Sequence, residues 1–187
     1  EILVPASLAA SRIRASGRRR THLLVPAECL EDLGGIEPTE GEADWVVVGD
    51  MGPGFTFDRL NRAFHALRAG AGLLALHRGR FWRSDAGQIV LDAGPFVAAL
   101  EYAAGVEAEL VGKPARPFFD LAVADLGLDR GSVLVVGDDL ENDVAGGARA
   151  GLLTARVRTG VPDAARPGVA ERPDLDLGSI ADLDPPR

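Results

Sequence analysis

At 187 residues, with 47% hydrophobic and 26% charged residues, the chain has the makings of one or two globular domains with a real core. A formal charge of −8 and a pI near 4.9 exclude nucleic acid as the main partner, because a phosphate backbone demands extended positive charge. The one cysteine, Cys29, excludes an internal disulfide and a Cys-based zinc site and predicts a reducing, cytoplasmic setting; no apolar run reaches the ~20 residues of a membrane span, so no membrane partner is expected.

Residues 5–16 predict a helix capped near Ser7 and ended by Gly17. His22–Val25 and Trp45–Gly49 read as short buried strands. Phe57, Leu60, Phe64 and Leu67 recur at helical spacing, and Gly70 stops that helix. Leu73–His77 predicts a third strand, and the segment from Phe81 through Ala86-Gly87 to Val90 predicts a hairpin. A helix is expected over 95–104, a strand at Glu109–Val111, and a helix over 115–127. Ser132–Val136 reads as a strand whose residues after Ser132 are all apolar, as in a parallel strand covered on both faces. An Ala/Gly-rich helix over 142–150 and a strand at Leu153–Val157 follow. The Pro- and Asp-rich tail from Val161 predicts loop, with a helical turn at Ser179–Leu183.

Two places carry chemistry. The chain holds a single lysine, Lys113, in Val111-Gly112-Lys113-Pro114; every other cationic side chain is arginine. A compact ammonium suits a tight phosphate site better than the broad guanidinium fork. Pro114 is expected in the first turn of the following helix, which puts Lys113 near that helix's positive end. The second place is Val136-Gly137-Asp138-Asp139-Leu140-Glu141-Asn142-Asp143, which crowds four carboxylates behind a strand. In open α/β sheets ligands gather at the carboxyl ends of the strands, and a hard cation would relieve carboxylate repulsion. The competing reading is that Asp139 and Asn142 cap the next helix.

The ordered blocks Gly94-Pro95-Phe96, Ala99-Leu100-Glu101-Tyr102-Ala103, Val111-Gly112-Lys113-Pro114, Phe118-Phe119, Val136-Gly137-Asp138-Asp139, Asp143-Val144, Gly146-Gly147-Ala148 and Val157-Arg158-Thr159-Gly160 resemble the haloacid dehalogenase (HAD) superfamily. Within it they resemble subfamily IIA, the NagD-like phosphatases. The resemblance implies an α/β fold: a HAD-like Rossmannoid core with a parallel sheet, here lacking its first strands, and an inserted α/β C2-type cap. It implies a cap over residues 1–90 and the C-terminal half of the core over 91–187. It implies a Mg²⁺-dependent phosphatase acting through an aspartyl-phosphate on a small phosphorylated metabolite. Lys113 corresponds to the residue that binds the phosphoryl group and the attacking carboxylate. Asp138 corresponds to a Mg²⁺ ligand, and Asp143 to the second acidic position, which supports the metal shell or the lysine. Asp139 falls where the family varies. A homodimer through the cap is implied as well.

The family opens with Asp-x-Asp, whose first carboxylate is the nucleophile and whose second is the acid/base. The family carries that block at the end of its first strand, ahead of the blocks quoted above; these residues have no counterpart at such a position, and Asp50-Met51-Gly52 does not replace it. The expectation is therefore that ~50 residues of domain-completing sequence precede Glu1, and that residues 1–187 alone are inactive. The alternative is a non-catalytic pseudo-phosphatase that binds phosphate, metal or a protein partner. A phosphotransfer response protein also pairs acids with a lysine, but has no place for a cap. The substrate is not legible. The glycines of residues 49–54 read as a turn, Arg12, Arg14, Arg18, Arg19 and Arg20 as a solvated face, His22 and His65 as packed, and Cys29 as inert. His77, at a strand end, is the histidine most open to a ligand role.

Overall fold

The computed structural model describes residues 2–84, 86–159 and 172–183. They form two compact units, Glu1–Gly112 and Lys113–Arg187.

The first unit is a three-layer α/β/α arrangement. Its strands are β1 (Arg20–Leu24), β2 (Glu37–Pro38), β3 (Trp45–Val48), β4 (Gly72–Ala75) and β7 (Glu109–Leu110), all parallel in the order β2-β1-β3-β4-β7. Alternate residues feed opposite faces. Val46, Val48, Leu73 and Ala75 pack with Ala63 and Leu67 of α2 (Phe57–Arg68) and Val97 and Leu100 of α3 (Ala93–Ala104). Trp45, Val47 and Leu74 pack on the other face against Ala6, Ala9, Ala10 and Ile13 of α1 (Pro5–Ser16). Burial of β3 on both faces explains its unbroken apolar run. The hairpin appears as antiparallel β5 (Phe81–Arg83) and β6 (Ile89–Leu91). The units divide at 112/113 rather than at residue 90, because α3 shares the α2 core and β7 pairs with β4.

Several local expectations are corrected. Ser7 does not cap α1; the N-cap is Val4 and Pro5 opens the helix, where its missing N–H costs nothing. Phe57, the first residue of α2, is 79% exposed and does not join the apolar face that its spacing predicts. His65 is exposed rather than packed, while His22 is buried with Nδ1 3.3 Å from the Thr39 carbonyl. The arginines of residues 12–20 are exposed, as expected of a solvated face, and some are paired there: Arg12 meets Glu109 at 2.8 Å and lies over the Trp45 ring, and Arg20 meets Asp44 and Glu42.

Asp44 accepts from the Arg20 backbone N–H and guanidinium at 3.2–3.3 Å, and the guanidinium holds its carboxyl below the usual carboxylate range. A depressed carboxyl contributes stability above its unfolded value that is lost as pH falls through its folded value. Asp44→Asn is therefore expected to be less stable than the wild type at pH 7, with the difference shrinking below about pH 4. Thermal melts across that range check this; a difference independent of pH would refute it.

The second unit holds a parallel sheet in the order β10-β9-β8: β8 (Leu134–Gly137), β9 (Leu153–Val157) and β10 (Leu175–Leu177). β8 is half-buried along its length and not enclosed on both faces as expected. Ser132 belongs to a 3-10 turn, Arg130–Ser132, ahead of it. The helix expected over 142–150 starts as a π-type turn, Leu140–Ala145, and continues as α5 (Gly146–Arg149). The tail contains strand β10, held by pairing to β9, where loop was expected; the turn at Ile180–Asp182 carries a Ser179 capping box. The loop expected from Val161 lies partly outside the described residues. Phe119 and Val123 of α4 (Arg116–Leu126) pack with Ala150 and Leu152. No helix among the described residues is long and apolar enough to cross a membrane.

Candidate active site at the carboxyl end of β8

Lys113 and Asp143, thirty positions apart, are brought into contact: Lys113 Nζ donates to Asp143 Oδ1 at 2.6 Å. The two groups are in unequal surroundings. The Asp143 side chain is 7% exposed and the lysine side chain 44%. Burial makes the carboxylate a fixed anchor, because an unpaired buried charge is costly. The ammonium has three donors, and the anchor uses one. The open face of Lys113 keeps donors for an incoming oxyanion.

Asp143 is placed by the turn that precedes it. Asp139 Oδ1 accepts from the N–H groups of Glu141 and Asn142 at 2.9 and 3.0 Å, and its Oδ2 accepts from Asn142 Nδ2 at 2.8 Å. This makes Asp139 the cap of the π-type turn, as the competing reading of the acidic cluster expects. The Asp139 N–H in turn donates to Asp143 Oδ2 at 3.2 Å. Both Asp143 oxygens are thus engaged.

The residue missed in the sequence is Gly137. A Cβ there would fall on the Asp143 carboxylate, so only glycine lets the strand end approach it. A glycine closing an apolar strand just before an acid was the available signal. Gly146 lets α5 approach Pro114 and, in α4, Phe119, and Gly147 lets it approach Val135 of β8 and Thr154 of β9.

Pro114 is not in the first turn of α4, which starts at Arg116 with Pro117; the Lys113–Pro114 peptide is cis. Asp138 is half-buried directly after β8. Among the described residues no three or more His, Cys, Asp or Glu side chains converge as a cation site. Mg²⁺ does not require such a cage: it retains waters and takes one or two protein carboxylates together with substrate oxygens. Asp138, a hard oxygen donor at a strand end, fits that demand. His77 belongs to the first unit, with Nδ1 3.5 Å from Asp92 Oδ1. Cys29 is half-buried, and burial pushes its thiol up, away from nucleophile character.

Comparison with known proteins finds relatives by sequence and by fold. The model of the HAD-hydrolase-like family matches residues 110–183. The bovine (Bos taurus) phospholysine phosphohistidine inorganic pyrophosphate phosphatase is 34% identical over 184 residues, covering 97% of this chain and 66% of that protein. The p-nitrophenyl phosphatase of Archaeoglobus fulgidus superposes with a TM-score of 0.85 at 29% identity, covering 97% of this chain and 72% of that one. A glycerol phosphate phosphatase from Mycobacterium tuberculosis, solved with calcium, matches with a TM-score of 0.79 at 30% identity, covering 94% and 54%. The chain thus spans about two thirds of the length of the curated relatives it matches.

Proposed function

The chain belongs to the haloacid dehalogenase-like hydrolase family, and on that premise we propose that it carries the phosphate- and metal-binding half of a Mg²⁺-dependent phosphatase acting on a small phosphorylated metabolite. The observation that carries this reading is the half-exposed Lys113 ammonium locked at 2.6 Å to the buried Asp143 carboxylate.

Lys113 binds the phosphoryl oxygens and offsets the charge that gathers there as phosphorus is attacked. Asp143 positions Lys113 through its fixed carboxylate. Asp138 supplies a carboxylate oxygen to Mg²⁺. When bound, the ion neutralises phosphoryl charge and aligns the group for in-line attack. Lys113, Asp143 and Asp138 bind and orient the phosphoryl group, and the attacking carboxylate is not assigned among them. The first unit serves as the substrate-selecting cap.

The test is hydrolysis of 4-nitrophenyl phosphate by the protein expressed from its complete reading frame, with Mg²⁺ and with EDTA. Hydrolysis is expected to need Mg²⁺, and Asp138→Asn to raise the Mg²⁺ concentration for half-maximal rate about tenfold or more. Hydrolysis indifferent to EDTA and to Asp138→Asn would sink the metal assignment. Phosphate bound tightly with no hydrolysis would favour a non-catalytic binding protein.

A further inference from the structure

A cavity of about 580 Å³ opens in the first unit between the β5–β6 hairpin and the start of α3. This lies in the size range of small-molecule pockets. Phe81, Ile89, Leu91, Pro95 and Ala98 make its apolar walls, and Ile89 and Leu91 are each left 61% exposed.

Two guanidiniums also line it, and they are not equivalent. Arg78 is committed to Glu101 through bonds of 3.1 and 2.6 Å. The Arg80 guanidinium has no hydrogen-bond or ion-pair partner among the described residues. The helix end adds little positive character of its own. Its Ala93 N–H is taken by Asp92 Oδ1 at 2.7 Å, its Gly94 N–H by the Gly79 carbonyl at 2.8 Å, and Pro95 has none. Arg80 is therefore the cation on offer.

The walls are held in place. The Asp92 N–H donates to the Arg80 carbonyl at 3.3 Å. Any side chain at Gly94 would strike the Arg78 and Gly79 carbonyls, so hairpin and helix meet backbone to backbone. A site built this way needs little ordering when a ligand arrives.

We propose that this cavity binds a small anion with a flat apolar body, its charge on Arg80 and its body against Phe81, Leu91 and Pro95. An apolar slot with a single unpaired guanidinium complements that chemistry in both shape and charge. The site lies wholly in the first unit and does not depend on the reaction assigned to Lys113.

The experiment is an amide-resolved NMR titration of the protein expressed from its complete reading frame with naphthoate, and with the neutral naphthyl methanol as control. Shifts are expected within residues 78–81 and 89–98. Arg80→Gln should weaken naphthoate about tenfold, the loss of one charge-assisted contact, and the neutral probe should bind the wild type as weakly. Ile89→Asp, on the apolar wall, should weaken naphthoate at least as much. Both positions are exposed, and the same spectra verify that the fold is kept. Unchanged affinity in Arg80→Gln, equal binding of the neutral probe, or shifts scattered outside those segments would each overturn the proposal.

Discussion

Lys113→Ala is expected to lower kcat/KM for phosphoester hydrolysis by about 10²- to 10³-fold in the protein expressed from its complete reading frame, as for loss of one preorganised donor to a transition-state oxyanion. The reason is geometric. Asp143 holds Nζ at 2.6 Å, so the ammonium needs no reorganisation as charge develops on the phosphoryl oxygens. Lys113→Arg is not expected to rescue, because a planar fork replaces a compact charge beside a buried carboxylate. Lys113→Ala also leaves the Asp143 carboxylate, in a residue 5% exposed, with the Asp139 N–H as a donor but without its ammonium. The expected cost is about 1 kcal/mol, at the low end for a buried acceptor that loses a partner, since water reaches the half-exposed lysine side. Lys113→Ala with Asp143→Asn should recover stability and not activity. Steady-state kinetics and urea unfolding of the single and double variants separate the two roles. Wild-type kcat/KM in Lys113→Ala would remove this lysine from the chemistry.

Gly137→Ala is expected to destabilise the second unit by about 3 kcal/mol and to break the same pair without touching either member. The added methyl would meet the Cβ, Cγ and Oδ2 of Asp143. Those atoms cannot swing aside as a long side chain would, because Asp143 is buried and its backbone N–H is bound to the Asp139 carbonyl at 2.9 Å. Gly131→Ala is the control: a Cβ there meets nothing within 4 Å, and the expected change is within about 0.5 kcal/mol. Urea midpoints of the two variants decide the matter. Equal stability would mean that the strand end tolerates a side chain and that the close approach is not required.

Much of this was legible in the residues. The apolar run at Trp45–Val48, the 3.6-residue spacing of α2 and the left-handed glycine that ends α1 are local signals, and local signals survive without knowledge of neighbours. The lone lysine and the acidic turn were visible as chemistry for the same reason: residue type and spacing are written along the chain. The segments that were misread depend on what lies beside them. β10 is a strand because β9 offers it a parallel partner, not because Leu175-Asp176-Leu177 favours extension. Residues 93–110 join the first unit because α3 packs on the α2 core and β7 pairs with β4, contacts that no spacing announces. The same holds at the site. Composition pointed to Lys113 and Asp143 separately; folding across thirty positions decided that Asp143 grips the lysine, that Asp139 is spent on the turn, and that Gly137 makes room for the Asp143 carboxylate. Burial is what turns an acid into an anchor, and burial is a property of packing rather than of sequence order.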